Sequence, residues 1–191
     1  MRKYSNETLE QAVGREVLIN YGKRYLGATL SSSCLPSWSQ TKIIDYMGKP
    51  SNFLVICGGV GISKTYTCAS LTEWILKNFN TSRYWNERGL QEALQNSWSS
   101  TSGNILKYLI DDDLVILDDI GSEGFSDWKE KILMETIDQR YNSMLPTIFI
   151  SNLFKSDFED KYHARIASRL FATENTIIEI FDAVDQRTLG K

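Results

Sequence analysis

Gly58-Gly59-Val60-Gly61-Ile62-Ser63-Lys64-Thr65 puts glycine-freed backbone N–H groups, one ammonium and two hydroxyls into eight consecutive positions. The string follows the apolar run Phe53 to Cys57 and opens a helical pattern. In that context successive N–H groups and the positive helix end surround phosphate oxygens. Lys64 would neutralise the β and γ phosphates of a nucleotide and the Thr65 hydroxyl would hold Mg²⁺, so Gly58 through Tyr66 is the candidate cofactor-binding stretch. Ser63 stands where the pattern G-x-x-x-x-G-K-[ST] has its last glycine. Its Cβ would crowd the phosphates or the helix packing, although serine is small and a good helix N-cap. Taken alone, the string also reads as a Gly-rich turn ahead of Lys-Thr.

A second cluster meets it. Leu114-Val115-Ile116-Leu117 is an apolar strand that delivers Asp118 and Asp119 at its carboxyl end. One carboxylate there can hold the Mg²⁺ shell while the other polarises an attacking water; a solvated turn is the other reading. Asn152 follows a third strand, Thr147 to Ser151, where it either orients that water or forms an Asx turn. Arg165 and Arg169 lie four apart on a helical stretch, Ala164 to Phe171, so their guanidinium groups point the same way. They make a basic helix face paired with acids, or an arginine finger for a neighbouring subunit's γ-phosphate. Arg83, Tyr84 and Arg88, with Trp85 and Trp98, set cations beside aromatics as a single-strand stacking surface would, but Tyr84 and Trp85 sit on a strand and one of them should face the core.

Strand and helix must alternate to position these groups. The N-terminal pattern suggests a helix from Glu7 capped by Asn6 or Ser5, with Leu9, Val13 and Val17 or Leu18 on its inner face and Gly22 near its end. The Ser-rich, Pro36-containing stretch from Ser31 to Gln40 reads as a loop, and Thr41 to Tyr46 as a helix. Further helices are expected over Lys64 to Phe79, Glu87 to Trp98 and Trp128 to Tyr141, and further strands over Ser82 to Trp85 and Ile177 to Phe181. The alternation implies a doubly wound α/β fold: a parallel five-stranded sheet with right-handed crossovers, helices on both faces and the ligand beyond the strands' carboxyl ends.

The 191 residues, 42% hydrophobic and 24% charged, fit one globular domain. With 21 Lys+Arg against 24 Asp+Glu there is no global field toward nucleic acid, and DNA contact needs a local patch. Cys34, Cys57 and Cys68 share no metal-site spacing with His163 and read as inert thiols of a reducing compartment. No apolar run approaches the roughly 20 residues of a membrane span, so a soluble, cytoplasmic protein without membrane contact is expected. Between the two acidic motifs there is no Arg-rich lid of the kind a nucleotide kinase needs.

The motifs in this order resemble the AAA+ ATPases of the DnaC/DnaI helicase-loader family and their IstB-type transposition-helper relatives. The resemblance runs from Tyr21 to the C-terminus through YGKRYLGATL, GGVGISKT, LVILDDIGSEGFSDW, IDQRY, PTIFISNL, RIASRL and Asp185-Gln186-Arg187. It implies a P-loop NTPase of the AAA+/ASCE type. Lys64 and Thr65 match the Walker A pair, Asp118 the metal-binding Walker B acid, Asp119 the second acid and Asn152 sensor 1. Arg169 matches the arginine finger with Arg165 beside it, and Arg187 is similar to the late arginine with a sensor 2-like part.

The resemblance further implies an ATPase that takes ATP or ADP with Mg²⁺, self-associates through the arginine finger on single-stranded DNA and loads a replicative ring helicase. The alternatives are a transposition-helper ATPase, or a weakly hydrolysing module that occupies a helicase or loader. Two departures bear on activity: Ser63 for glycine, and Asp119 for the longer glutamate. The expected organisation is a helical arm and lead-in over residues 1–48 and the ATPase domain over 49–191, a compact loader without the large N-terminal module usual in that family.

Overall fold

The computed structural model describes residues 7–96, 102–122 and 127–181. Trp98 and Arg187, and the N-terminal caps expected at Ser5 and Asn6, lie outside them. Five strands form one parallel sheet in the order β2-β3-β4-β1-β5: β1 (Phe53–Gly58), β2 (Ser82–Asn86), β3 (Leu114–Ile120), β4 (Thr147–Ser151) and β5 (Thr176–Ile180). The doubly wound sheet expected from the sequence is present.

The three central strands carry apolar runs, Phe53 to Cys57, Leu114 to Leu117 and Ile148 to Ile150, because both of their faces are covered. Alternate residues then feed opposite layers. Leu54, Ile56, Ile116, Ile148 and Ile150 pack with Ile43 and Tyr46 of α2 (Ser37–Gly48), Cys68 of α3 (Lys64–Ser70) and Ile75 of α4 (Thr72–Asn78). On the other face Val55, Cys57, Val115, Leu117 and Phe149 meet Leu109 of α6, Leu133 and Ile137 of α7, Phe158 of α8 and Ile166 and Leu170 of α9. These helices span Ser102–Asp111 (α6), Asp127–Asn142 (α7), Lys155–Lys161 (α8) and Ala164–Leu170 (α9). Helix α1 (Leu9–Asn20) precedes them all, and α5 (Glu87–Asn96) follows β2 without a gap.

Several expectations are corrected. Helix α1 is capped by Thr8, whose Oγ1 accepts from Gln11 N–H at 3.3 Å while Gln11 Oε1 accepts from Thr8 N–H at 2.9 Å. It buries Ala12 and Val17 and leaves Leu18 exposed. Helix α2 starts at Ser37, inside the stretch expected to be loop, because Pro36 presets the entry and its carbonyl accepts from Ser39 and Gln40 N–H. The helix expected over Lys64 to Phe79 breaks at Leu71. Thr67, Ser70 and Thr72 hydroxyls donate to the carbonyls of Ser63, Thr67 and Ala69, and such bonds compete with the helical ladder. Helices α6 and α8 escape the sequence reading: α6 runs into the apolar strand behind it, and α8 is a charged seven-residue run with one apolar anchor, Phe158.

Arg140 ties the two halves of the sheet's frame together. Its fully buried guanidinium donates to the carbonyls of Leu109, Ile110 and Asp112 at the end of α6, to Pro146 C=O and to Thr147 Oγ1, all at 2.7 to 3.1 Å. Burial pulls its pKa down to about 10, with Asp112 and Asp113 acting against the fall, so the side chain stays charged at neutral pH. Replacing it by alanine strands these acceptors. At about 1–3 kcal/mol for each buried group left unpaired, Arg140→Ala is expected to cost at least about 3 kcal/mol, read as a lower urea midpoint at constant m.

Candidate functional site

The strand ends gather one cleft. Strand β1 stops at Gly58, where an added Cβ would collide with Ile62 Cδ1 and approach Ile180 O at 2.9 Å, so the loop can turn tightly here only around glycine. Gly61 (φ 80°) and Ser63 (φ 71°, ψ 21°) both take left-handed backbone before α3 begins at Lys64. Ser63 makes no side-chain cap, because the left-handed conformation replaces the extended one that N-capping uses. Its contribution is its carbonyl, which accepts from Thr67 N–H and Thr67 Oγ1, both at 2.9 Å.

Lys64 is 8% exposed. Its ammonium donates to Gly58 O at 2.6 Å, Gly59 O at 2.7 Å and Asn152 Oδ1 at 2.8 Å. The Asn152 amide nitrogen in turn donates to Asp119 Oδ1 at 2.9 Å. A chain of cation, amide and carboxylate thus joins the ends of β1, β4 and β3. Asp119 reaches that chain from φ 60°, at a slip in the β3–β4 register between Leu117 and Ile120. The slip lets two adjacent strand residues, Asp118 and Asp119, both serve the cleft, which regular alternation would forbid.

Asp118 is buried, and burial pushes its carboxyl pKa up. Hydrogen bonds from Tyr84 Oη, at 2.8 Å, and from the Thr65 hydroxyl act against the rise, and Asp119 adds to it. Burial together with Asp118 drives the Tyr84 phenol pKa far upward, so Tyr84 stays a donor.

The cleft, about 750 Å³, is lined by the loop residues Val60 to Tyr66, by Asp118, Asp119 and Asn152, and by Tyr84, Glu87 and Arg88. A volume of this order suits a ligand of nucleotide size. Arg24, Tyr25 and Cys34 from the lead-in complete it, with the Arg24 guanidinium 5.2 Å from the Tyr25 ring centroid. Sequence reasoning gave Arg24 and Tyr25 no role beyond their place in YGKRYLGATL, and read Cys34 only as an inert thiol.

The remaining candidates have partners elsewhere. Arg165 and Arg169 do point the same way, and both reach Asp138 of α7, at 2.9 and 3.5 Å. The Arg169 guanidinium also lies 5.0 Å from the Tyr141 ring centroid. Within one chain they are a basic helix face paired with an acid. Arg83 is bound to Asp112 at 2.8 Å and stacked on Tyr108, Tyr84 serves Asp118, and Arg88 pairs with Glu92, so these three side chains have three separate partners.

A parallel sheet of this order, with a glycine loop at the end of β1 and paired acids at the end of β3, has the P-loop nucleotide-binding fold of the AAA+ class. The chain belongs to the family of IstB-like ATP-binding proteins, whose model matches residues 37–169. No curated protein matches it at a significant level. Among solved structures it is similar to the DnaC helicase loader, with 22% identity, a TM-score of 0.68, and coverage of 82% of this chain and 99% of that one. It is similar also to DnaI, with 23% identity, a TM-score of 0.67 and coverage of 85% and 93%. A replication initiator DnaA bound to AMPPCP and single-stranded DNA shares the fold at 17% identity and a TM-score of 0.70 over 80% of this chain, which spans 50% of that DnaA chain.

Ser63 in left-handed backbone costs about 1–2 kcal/mol. Glycine removes that strain but frees the unfolded chain by about 0.4–1 kcal/mol. Ser63→Gly is therefore expected to raise stability by up to about 1.5 kcal/mol, read as an upward shift of the urea midpoint; a clear fall would show that Ser63 is not strained.

Proposed function

We propose that the chain binds ATP with Mg²⁺ and hydrolyses it, and that it self-associates on single-stranded DNA to load a ring-shaped replicative helicase. The observation that carries the hydrolytic part is the path from Lys64 through Asn152 to Asp119. The Lys64 ammonium, now on loop carbonyls, would turn to the β and γ phosphate oxygens. Asn152 would orient the attacking water and Asp119 would take its proton. Thr65 and Asp118, already hydrogen-bonded to each other, offer the hard oxygens that suit Mg²⁺, an ion that needs only one or two protein ligands beside the phosphates. Mg²⁺ there would offset charge on the phosphate oxygens.

The replication role draws support from the likeness to DnaC and DnaI over nearly the whole of those chains, and single-stranded DNA as partner from the DnaA complex. In this reading residues 49–191 carry the ATPase and residues 1–48 its lead-in. Arg169 acts in trans with Arg165 beside it, Arg187 serves as the late arginine, and Arg83 and Arg88 contact the strand. The left-handed Ser63 favours a second reading, a module that binds nucleotide but turns it over slowly. The IstB-like family favours a third, target selection beside a transposase, with duplex DNA preferred.

Steady-state turnover with Mg²⁺ separates these readings. The wild type is expected to hydrolyse ATP, faster with single-stranded than with duplex DNA, and Lys64→Ala to lose about 100-fold or more, the scale of removing a charge that meets the transition state. Equal, negligible rates in wild type, Ser63→Gly and Lys64→Ala would leave only the binding module. Tyr84→Phe has a signed pH effect. The Tyr84 hydroxyl favours the charged carboxylate of Asp118, so its loss pushes that pKa further up. The acid limb of the Mg²⁺-dependent pH–rate profile is expected to move to higher pH, with the alkaline limb unchanged.

A further inference from the structure

We infer that Glu87 is a positioning residue for hydrolysis: it holds the chain reversal that keeps Asp119 in its left-handed, water-facing conformation. The inference rests on the ATPase reading above. A non-glycine residue at φ 60° persists only where its surroundings over-determine it. On its amino side Asp119 is fixed by the pairing of Asp118 with Asn86 of β2. On its carboxyl side the restraint is the turn Asp119 to Ser122, closed by Ser122 N–H donating to Asp119 C=O at 3.2 Å.

One donor and one acceptor grip that turn from outside. Ser151 Oγ donates to Ile120 C=O at 2.5 Å, which ties it to β4. Glu87 Oε2 accepts from Gly121 N–H at 3.1 Å and from Ser122 Oγ at 3.2 Å, which ties it to the start of α5. Glu87 is 4% exposed and its two bonds to the turn are part-buried, which strengthens them over the same bonds in water. It follows Asn86 directly, and the β2–β3 register therefore delivers it beside the exit of β3. The turn needs glycine at 121, where φ is 89° and a Cβ would collide with Leu153. Released from Glu87, the turn can let Asp119 relax toward ordinary strand geometry, away from Asn152. Glu87 lines the cleft, but its carboxylate turns to Gly121 and Ser122, while phosphate oxygens would be held by the loop Gly58 to Thr65.

The experiment pairs ATP turnover with nucleotide affinity for Glu87→Ala, Glu87→Gln and Ser122→Ala, with amide hydrogen exchange at Gly121 measured on the same proteins. Glu87→Ala is expected to lower kcat about 10- to 100-fold with nucleotide Kd within about twofold, and to speed exchange at Gly121 but not in β1. Glu87→Gln keeps an acceptor oxygen and is expected to recover most of the rate. Ser122→Ala, which removes one donor from an exposed residue, should lose kcat in the same direction but less. An unchanged kcat in Glu87→Ala, a kcat loss matched by an equal loss of affinity, or unchanged Gly121 exchange would each overturn the inference. A wild type no faster than Lys64→Ala would instead sink the ATPase reading and this role with it, while the Gly121 exchange would still report whether the tether exists.

Discussion

A buried ammonium must be surrounded by oxygens, and this requirement at Lys64 organises the molecule. Isolated in a low-dielectric site such a charge is very costly, so its partners have to be in place in the folded state. Lys64 draws them from the end of β1, through Gly58 and Gly59, and from Asn152 just beyond β4. That works because β4 is the neighbour of β1 in the sheet, although 88 residues separate Lys64 from Asn152. The strand order is thereby a condition of the site. Asp119 then enters through Asn152, whose amide accepts from the ammonium and donates to the carboxylate.

Strain flanks this bridge on both sides. Ser63 and Asp119, one ahead of the lysine and one at the far end of the path, are non-glycine residues in left-handed backbone. Each is held by hydrogen bonds its neighbours make: Ser63 through its carbonyl to Thr67, Asp119 through the turn that Ser151 and Glu87 secure. Strain of this kind concentrates where geometry has to be right for a ligand. The packing beneath is ordinary by comparison: two apolar layers divided by alternating strand residues and fastened at the opposite end by Arg140.

The centre of the sheet was legible from the apolar runs Phe53 to Cys57 and Leu114 to Leu117, and Thr147–Ser151 was read to the residue. The chemistry at the strand ends was legible too, since Asp118 and Asp119 abruptly end an apolar run, Asn152 follows a strand directly, and Lys64 closes the glycine-rich loop after another. Illegible were features that depend on contacts across the chain. Nothing local marks Tyr84 as a donor to Asp118 rather than a stacking surface, or Glu87 as a tether, because their partners lie 34 residues away. Ser63 looked like a cap by residue type, and only the loop's handedness withdrew that role. Short helices such as α8 carry too few turns for periodicity to show.

Strand β5 closes against β1, and the carbonyl of Ile180 sits where a side chain on Gly58 would have to go. The wall behind the phosphate loop is therefore made by a strand 122 positions further along the chain (180 minus 58). A ribosome would have finished every strand of the sheet but this one while the loop still lacked its backing. Contacts of such long sequence separation form late and slowly. Nucleotide affinity in a nascent or truncated chain would thus report the arrival of β5, and ATP would act as a ligand that selects chains completed through residue 180.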